Sequence, residues 1–299
     1  RLMAWLWVAV TLVAAAAQTL RNAVQSGLTP RIGMLGATQV RFVYGLPFAF
    51  LFLGLVLVAT GARVPLPGWP SLGFTVAGAL AQIGATALML GAMQARGLAV
   101  GTAWIKTEPV LLALMAAAIL GDPLTWAMLA AIAVASAGVL VLSRPAGSPW
   151  ALAPAALGLG AAALFGVAAV GFRGAILALP EGGFVLRATT VLCLSMTVQV
   201  AVLALWLALM APGVMAASLA VWRVSLAAGF LGALASQFWF LGFALTSAAN
   251  VRTLALIEVV FAAAVGWIAL GQRPGRRQVA GLALVCLGVG ALLRLNAGR

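Results

Sequence analysis

Apolar residues run along this chain in blocks of about 20, parted by short stretches rich in proline, glycine and arginine. At 1.5 Å per residue, a helix of about 20 residues crosses roughly 30 Å of hydrocarbon. Ten such blocks are expected, at 2–20, 33–59, 70–94, 98–120, 124–142, 150–172, 184–210, 224–245, 249–270 and 277–295. The separators are SGLTPR at 26–31, GARVPLPGWP at 61–70, GDP at 121–123, SRPAGSP at 143–149, LPEGG at 179–183, APGV at 211–214 and GQRPGRR at 271–277. None could hold a soluble domain. The blocks are apolar on every face, whereas the strands of a membrane barrel alternate apolar and polar positions, so the pattern predicts an all-α integral membrane protein.

Composition agrees. Hydrophobic residues make up 65% of the 299 and charged residues 7%, and the mean hydropathy is +1.18, far above a water-soluble domain. The net charge of +13 would point to nucleic acid in a soluble protein. Here the basic residues fall mostly at block ends, where they serve as topological anchors and imply no nucleic-acid partner. Six flank one side (Arg1, Arg63, Arg173, Arg252, Arg294, Arg299) and eight the other (Arg21, Arg31, Arg96, Arg144, Arg223, Arg273, Arg276, Arg277), too even a division to orient the chain. Histidine is absent and the two cysteines lie inside apolar blocks. No metal, cofactor or disulfide framework is therefore expected.

An internal repeat organises the blocks. Laying 107–142 over 257–293 at an offset of 150 puts Glu108 on Glu258, Val110 on Val260, Gly121 on Gly271, Gly138 on Gly288 and Val139 on Val289. Glutamate occurs three times in the chain, so the coincidence of two carries weight. Weaker echoes relate Arg41 to Arg187, GALAQ at 78–82 to GALASQ at 232–237, and Trp5 to Trp150. Two halves of five helices, 1–145 and 146–299, are predicted within one structural domain. Five is odd, so the second half must start on the opposite face and the repeats are inverted, with both termini on one side of the membrane. The basic start and Ala-rich end of RLMAWLWVAVTLVAAAAQ resemble a cleavable signal peptide. Cleavage would destroy the parity, so the first block is expected to stay.

Charges inside the blocks mark the candidate site. Glu108 lies about 15 Å into the fourth block and Lys106 about 3 Å shallower. Charges at that depth must face water or a partner. The two cannot pair with each other, because positions i and i+2 of a helix point about 200° apart. Pro109 removes a backbone donor and disfavours helical geometry at Glu108, so a bend or unwinding is expected there. Matched depth in both halves puts Glu108 and Glu258 near the symmetry axis, where an inverted-repeat transporter keeps its substrate. Position 256 is Leu, so Lys106 has no counterpart, as an asymmetric substrate would require. Arg41, Tyr44, Gln82, Trp104, Gln237 and Trp239 lie at comparable depth and complete the expected substrate-binding set. The bland alternative is that Glu108, Glu258, Lys106, Arg41 and Arg187 form ion pairs that only lock helices together. A cavity lined by aromatic rings with a few opposite charges suits a zwitterion with a large side chain.

The run EPVLLALMAAAILGDPLTWAMLAAIAVASAGVLVL, with its repeat ending LGQRPGRRQVAGLALVCLGVGALL, resembles the EamA-type signature of the drug/metabolite transporter superfamily. The likeness extends over ten blocks in two halves. Asp122 and Gln272 stand where that signature has glutamate, and Val259 where Pro109 would recur. The resemblance implies ten helices around a central cavity in the bacterial inner (cytoplasmic) membrane, with metabolite export by alternating access. The tryptophan-containing GTAWIKTEP segment is most similar to exporters of aromatic and neutral amino acids. Nucleotide-like, sugar-like and drug-like solutes are the alternatives, and proton coupling through Glu108 or Glu258 is a further expectation. An enzyme is disfavoured, because the single aspartate is in a loop and no Gly-x-Ser-x-Gly element occurs. A channel would need charged rings or filter loops.

Overall fold

The computed structural model describes residues 2–96, 104–143, 152–261, 263 and 275–297. Nearly all are helical. The elements are α1 (Leu2–Val43), α2 (Leu46–Thr60), α3 (Trp69–Arg96), a 3-10 turn (Trp104–Thr107), α4 (Glu108–Leu120), α5 (Trp126–Ser143), α6 (Leu152–Leu177), α7 (Phe184–Met210), α8 (Pro212–Ala220), α9 (Trp222–Leu245), α10 (Ala248–Leu254), a second 3-10 turn (Ala255–Ile257) and α11 (Arg276–Ala297). Gly27–Thr60, Trp69–Ala92, Ala155–Leu177, Phe184–Met210, Trp222–Leu245 and Arg276–Ala297 are long and apolar enough to cross a membrane, and Trp126–Leu142 is a shorter apolar helix. The expected blocks 98–120, 150–172 and 249–270 lie partly outside the described residues, and Trp150 lies wholly outside them.

The chain forms two compact units. Unit 1 holds Leu80–Val170 and Thr246–Arg299; unit 2 holds Leu2–Ala79 and Gly171–Leu245. Each unit thus combines chain from both sequence halves.

In unit 2 the expected turn at 26–31 is helical, and the reversal comes at Gly33. Its φ of 71° and ψ of 170° interrupt α1, a conformation open in practice only to glycine. Gln25 Nε2 donates to the Ala37 carbonyl across the reversal at 2.6 Å, and Leu28, Ile32, Ala37, Val40 and Ala228 form the core beneath it. The expected second block is also broken, at Tyr44–Gly45. Pro47 has no N–H to give to the Val43 carbonyl, so α1 ends and α2 begins with proline in its first turn. Gly45 and Gly229 let this break press against α9: a Cβ on Gly229 would meet the Tyr44 carbonyl carbon at 2.5 Å. A short helix, α8, stands where the sequence suggests only a turn at 211–214.

Unit 1 is organised around α5 and α11, which pack through glycine. A Cβ on Gly138 would lie 2.7 Å from Gly281 O and from Val285 N, and one on Gly288 would lie 2.5 Å from Ala135 N and 2.6 Å from Ala131 O. Shifted by the 150-residue offset, Gly281 and Val285 become 131 and 135, so the contact is reciprocal.

Candidate functional site

Both mid-block glutamates are in unit 1, and both follow a tightened turn. Trp104–Thr107 is 3-10 and leads directly into α4 at Glu108. Ala255–Ile257 is 3-10 and leads directly into Glu258. Short 3-10 pieces within a helical run mark strain or a hinge. In the first repeat Pro109 accounts for the break, but the second has Val259 and breaks at the equivalent place, so proline is not its general cause. Thr107 Oγ1 turns back to the Trp104 carbonyl at 2.7 Å instead of capping α4. Glu108 itself occupies the first turn of α4, where the helix dipole favours a carboxylate.

The charges pair crosswise between the segments around the two 3-10 turns. Arg252 donates Nε to Glu108 Oε1 at 2.7 Å and Nη2 to Oε2 at 2.6 Å, the bidentate fork that makes Arg–carboxylate pairs strong. Lys106 Nζ donates to Glu258 Oε1 at 2.9 Å. The first pair is the drier at its acid, with the Glu108 side chain 6% and Arg252 22% exposed, whereas the Lys106 and Glu258 side chains are 29% and 21% exposed. Arg252 also feels the charge of Glu258, so the four groups form one electrostatic cluster.

Arg252 is the residue that sequence reasoning missed. Its expected place was an anchor at a block end; it lies instead in α10 with its guanidinium committed to Glu108. Ser247 caps α10 by accepting from Asn250 N at 3.2 Å. Asn250 Nδ2 donates to Asn296 Oδ1 of α11 at 2.9 Å, which ties down the short helix that carries the arginine. A signal existed. At the 150-residue offset Arg252 corresponds to position 102, one helical turn before Lys106. Cations one turn apart share a helix face, so a long side chain reaches the facing carboxylate from either place. Arg21, also expected as an anchor, is buried at 8% exposure.

The remaining expected residues divide between the units. Trp104 stands in the turn before Glu108, and Gln82 is on α3 within unit 1, its carbonyl accepting from Thr86 Oγ1 at 2.8 Å. In unit 2, Tyr44 Oη donates to the Ser218 carbonyl at 3.1 Å, Gln237 Nε2 to Thr189 Oγ1 at 2.8 Å and Trp239 Nε1 to Gln18 Oε1 at 3.2 Å. Arg41 lies on α1 with its guanidinium over the Phe42 ring, 4.2 Å from the centroid.

Residues 152–294 match the EamA-like transporter family. The EamA-like segment is a little under half of the chain and includes Arg252 and Glu258 but not Lys106 or Glu108. A match to this family points to a multi-pass membrane transporter of small metabolites, and the helical, apolar architecture agrees. No curated protein matches the chain. A solved crystal structure, described only as that of a protein, superposes over 100% of this chain and 99% of its own, with a TM-score of 0.74 at 19% identity; it is one of 28 matching chains. At that identity the likeness concerns the fold alone.

Proposed function

We propose that the protein is a secondary transporter of ten membrane-crossing helices, built as inverted repeats of 1–145 and 146–299. It exports amino acids, aromatic and neutral ones above all, or similar small metabolites across a bacterial inner membrane by alternating access. The observation that carries this reading is the crossed pairing within unit 1. Each of two repeat-related glutamates, directly after a 3-10 turn, is held by a base from the other repeat.

Alternating access needs contacts between repeats that a solute can break and remake through its differential affinity for the two states. The Lys106–Glu258 pair suits that role, with a single contact and side chains more than a fifth exposed. The bidentate Arg252–Glu108 pair is the firmer fixture. Adjacent 3-10 turns give each repeat a place where a few dihedral changes swing the carboxylate. Protons would act through the same carboxylates, and flux through Glu108→Gln and Glu258→Gln variants with pH dependence unchanged would exclude that coupling. A purely structural lock is the competing role for the cluster.

The test is flux from proteoliposomes loaded with tryptophan, phenylalanine, threonine or a sugar. Saturable efflux of the amino acids is expected. No flux of any solute above protein-free vesicles would defeat the reading, and non-saturating conductance would favour a channel.

A further inference from the structure

The four acids of the sequence are Glu108, Asp122, Glu181 and Glu258. Two are held by Arg252 and Lys106. Unit 2 contains only Glu181, exposed in the turn between α6 and α7. That unit nevertheless buries arginine, Arg21 at 8% exposure. Arg41 lies eight residues beyond the Gly33 reversal, about 12 Å along the helix axis, and just before the break at Tyr44–Gly45.

The Arg41 Nη2 atom is buried and has no hydrogen-bond partner. A buried guanidinium nitrogen left unpaired is costly, and within a membrane a charged side chain marks a ligand or partner site by default. Arg21 lies beside it, with Nε and Nη2 directed to Asn22 Oδ1 at 3.3 and 2.7 Å. A Cβ placed on Gly232 of α9 would lie 3.2 Å from Arg41 Cβ and 3.5 Å from Arg21 Cδ. Both side chains therefore leave α1 over the same glycine, where a larger residue would fill the space. The one carboxylate of their unit, Glu181, is exposed in the turn between α6 and α7, so the unpaired Arg41 nitrogen suits an anion. Arg187, the repeat relative of Arg41, likewise leaves its Nε buried and unpaired. On α9, five residues beyond Gly232, Gln237 Oε1 is a third buried atom without a partner. A broken helix beside such groups is how membrane transporters build solute sites.

We infer that unit 2 carries a subsite for the carboxylate of the transported solute, anchored by the Arg41 guanidinium with Arg21 beside it. This rests on the transporter reading for its solute, but not for its anion. Carboxylate and phosphate share the chemistry that a guanidinium recognises, and the apolar surroundings with a single unpaired nitrogen favour the singly charged carboxylate.

The test is thermal unfolding of the purified full chain in detergent at constant ionic strength, titrated with L-tryptophan and L-phenylalanine, with tryptamine and phenethylamine, which lack the carboxylate, and with inorganic phosphate. The amino acids should stabilise the wild type and the amines should not. Arg41→Gln should weaken the apparent Kd about 10- to 100-fold, the range for one charged hydrogen bond, and Arg41→Lys should retain part of the affinity. The wild-type comparison of acids with amines holds even where Arg41→Gln fails to fold. Equal stabilisation by acids and amines, stabilisation by phosphate alone, or none by any probe would overturn the subsite. Saturable liposome flux indifferent to the carboxylate would overturn it while leaving the transporter reading intact. Carboxylate-dependent binding without flux would do the reverse.

Discussion

Replacing Arg252 with Gln separates the two ion pairs most sharply. The substitution leaves Glu108, with its side chain 6% exposed, as a carboxylate that loses both of its short hydrogen bonds. Breaking a buried pair by removing one partner costs about 3–5 kcal/mol. Lys106→Gln breaks one contact of 2.9 Å between side chains 29% and 21% exposed, where solvent screening leaves about 0.5–1 kcal/mol. At roughly 2 °C per kcal/mol for a chain of this size, Arg252→Gln should lower the midpoint by about 6–10 °C and Lys106→Gln by no more than about 2 °C. The double variant Glu108→Gln/Arg252→Gln removes both charges and with them the desolvation penalty, so it should be less damaged than Arg252→Gln alone. Thermal unfolding of detergent-solubilised protein, followed by monodisperse recovery on size exclusion, measures all three. Equal losses for Arg252→Gln and Lys106→Gln, or a double variant no more stable than Arg252→Gln alone, would refute the account of a dry bidentate pair beside a wetter one.

Three further outcomes are expected. Gly288→Ala should lose about 1–3 kcal/mol by overpacking α5 against α11, whereas Gly290→Ala, with open space around its Cβ position, should gain about 0.5–1 kcal/mol of helix propensity; matching shifts in thermal midpoint for the two would contradict the glycine packing. Gly33→Ala meets no atom within 4 Å, so its cost of about 1–3 kcal/mol is backbone strain alone, and Gly27→Ala, equally uncrowded, helical and without a positive φ, should gain about 0.5–1 kcal/mol in the same melt. Single cysteines at Asp122 and Gly275, in repeat-equivalent loops of a chain cleared of Cys193 and Cys286, should react with an impermeant maleimide from opposite sides of sealed vesicles; labelling from one side would end the inverted-repeat proposal.

The blocks of apolar residues were enough to place most helices, because a backbone in hydrocarbon has few other ways to satisfy its hydrogen bonds. Helical geometry likewise showed that Lys106 and Glu108 point apart, and the rarity of glutamate exposed the relation between 108 and 258. Local breaks were harder to read. Pro30 and the surrounding SGLTPR looked like a turn, but the chain stays helical through them and reverses at Gly33, where a residue without Cβ adopts a φ that its neighbours cannot. Which base holds which acid was illegible, since Arg252 and Glu108 are 144 positions apart and a cation near the start of an apolar block reads equally as an anchor. Composition and period depend on neighbours in the chain, so the sequence by itself pointed to the solvent and to most of the helices. Partner choice depends on which faces of distant helices meet, and that was decided only when α10 packed on α4 and brought a guanidinium to a carboxylate that hydrocarbon would not leave alone.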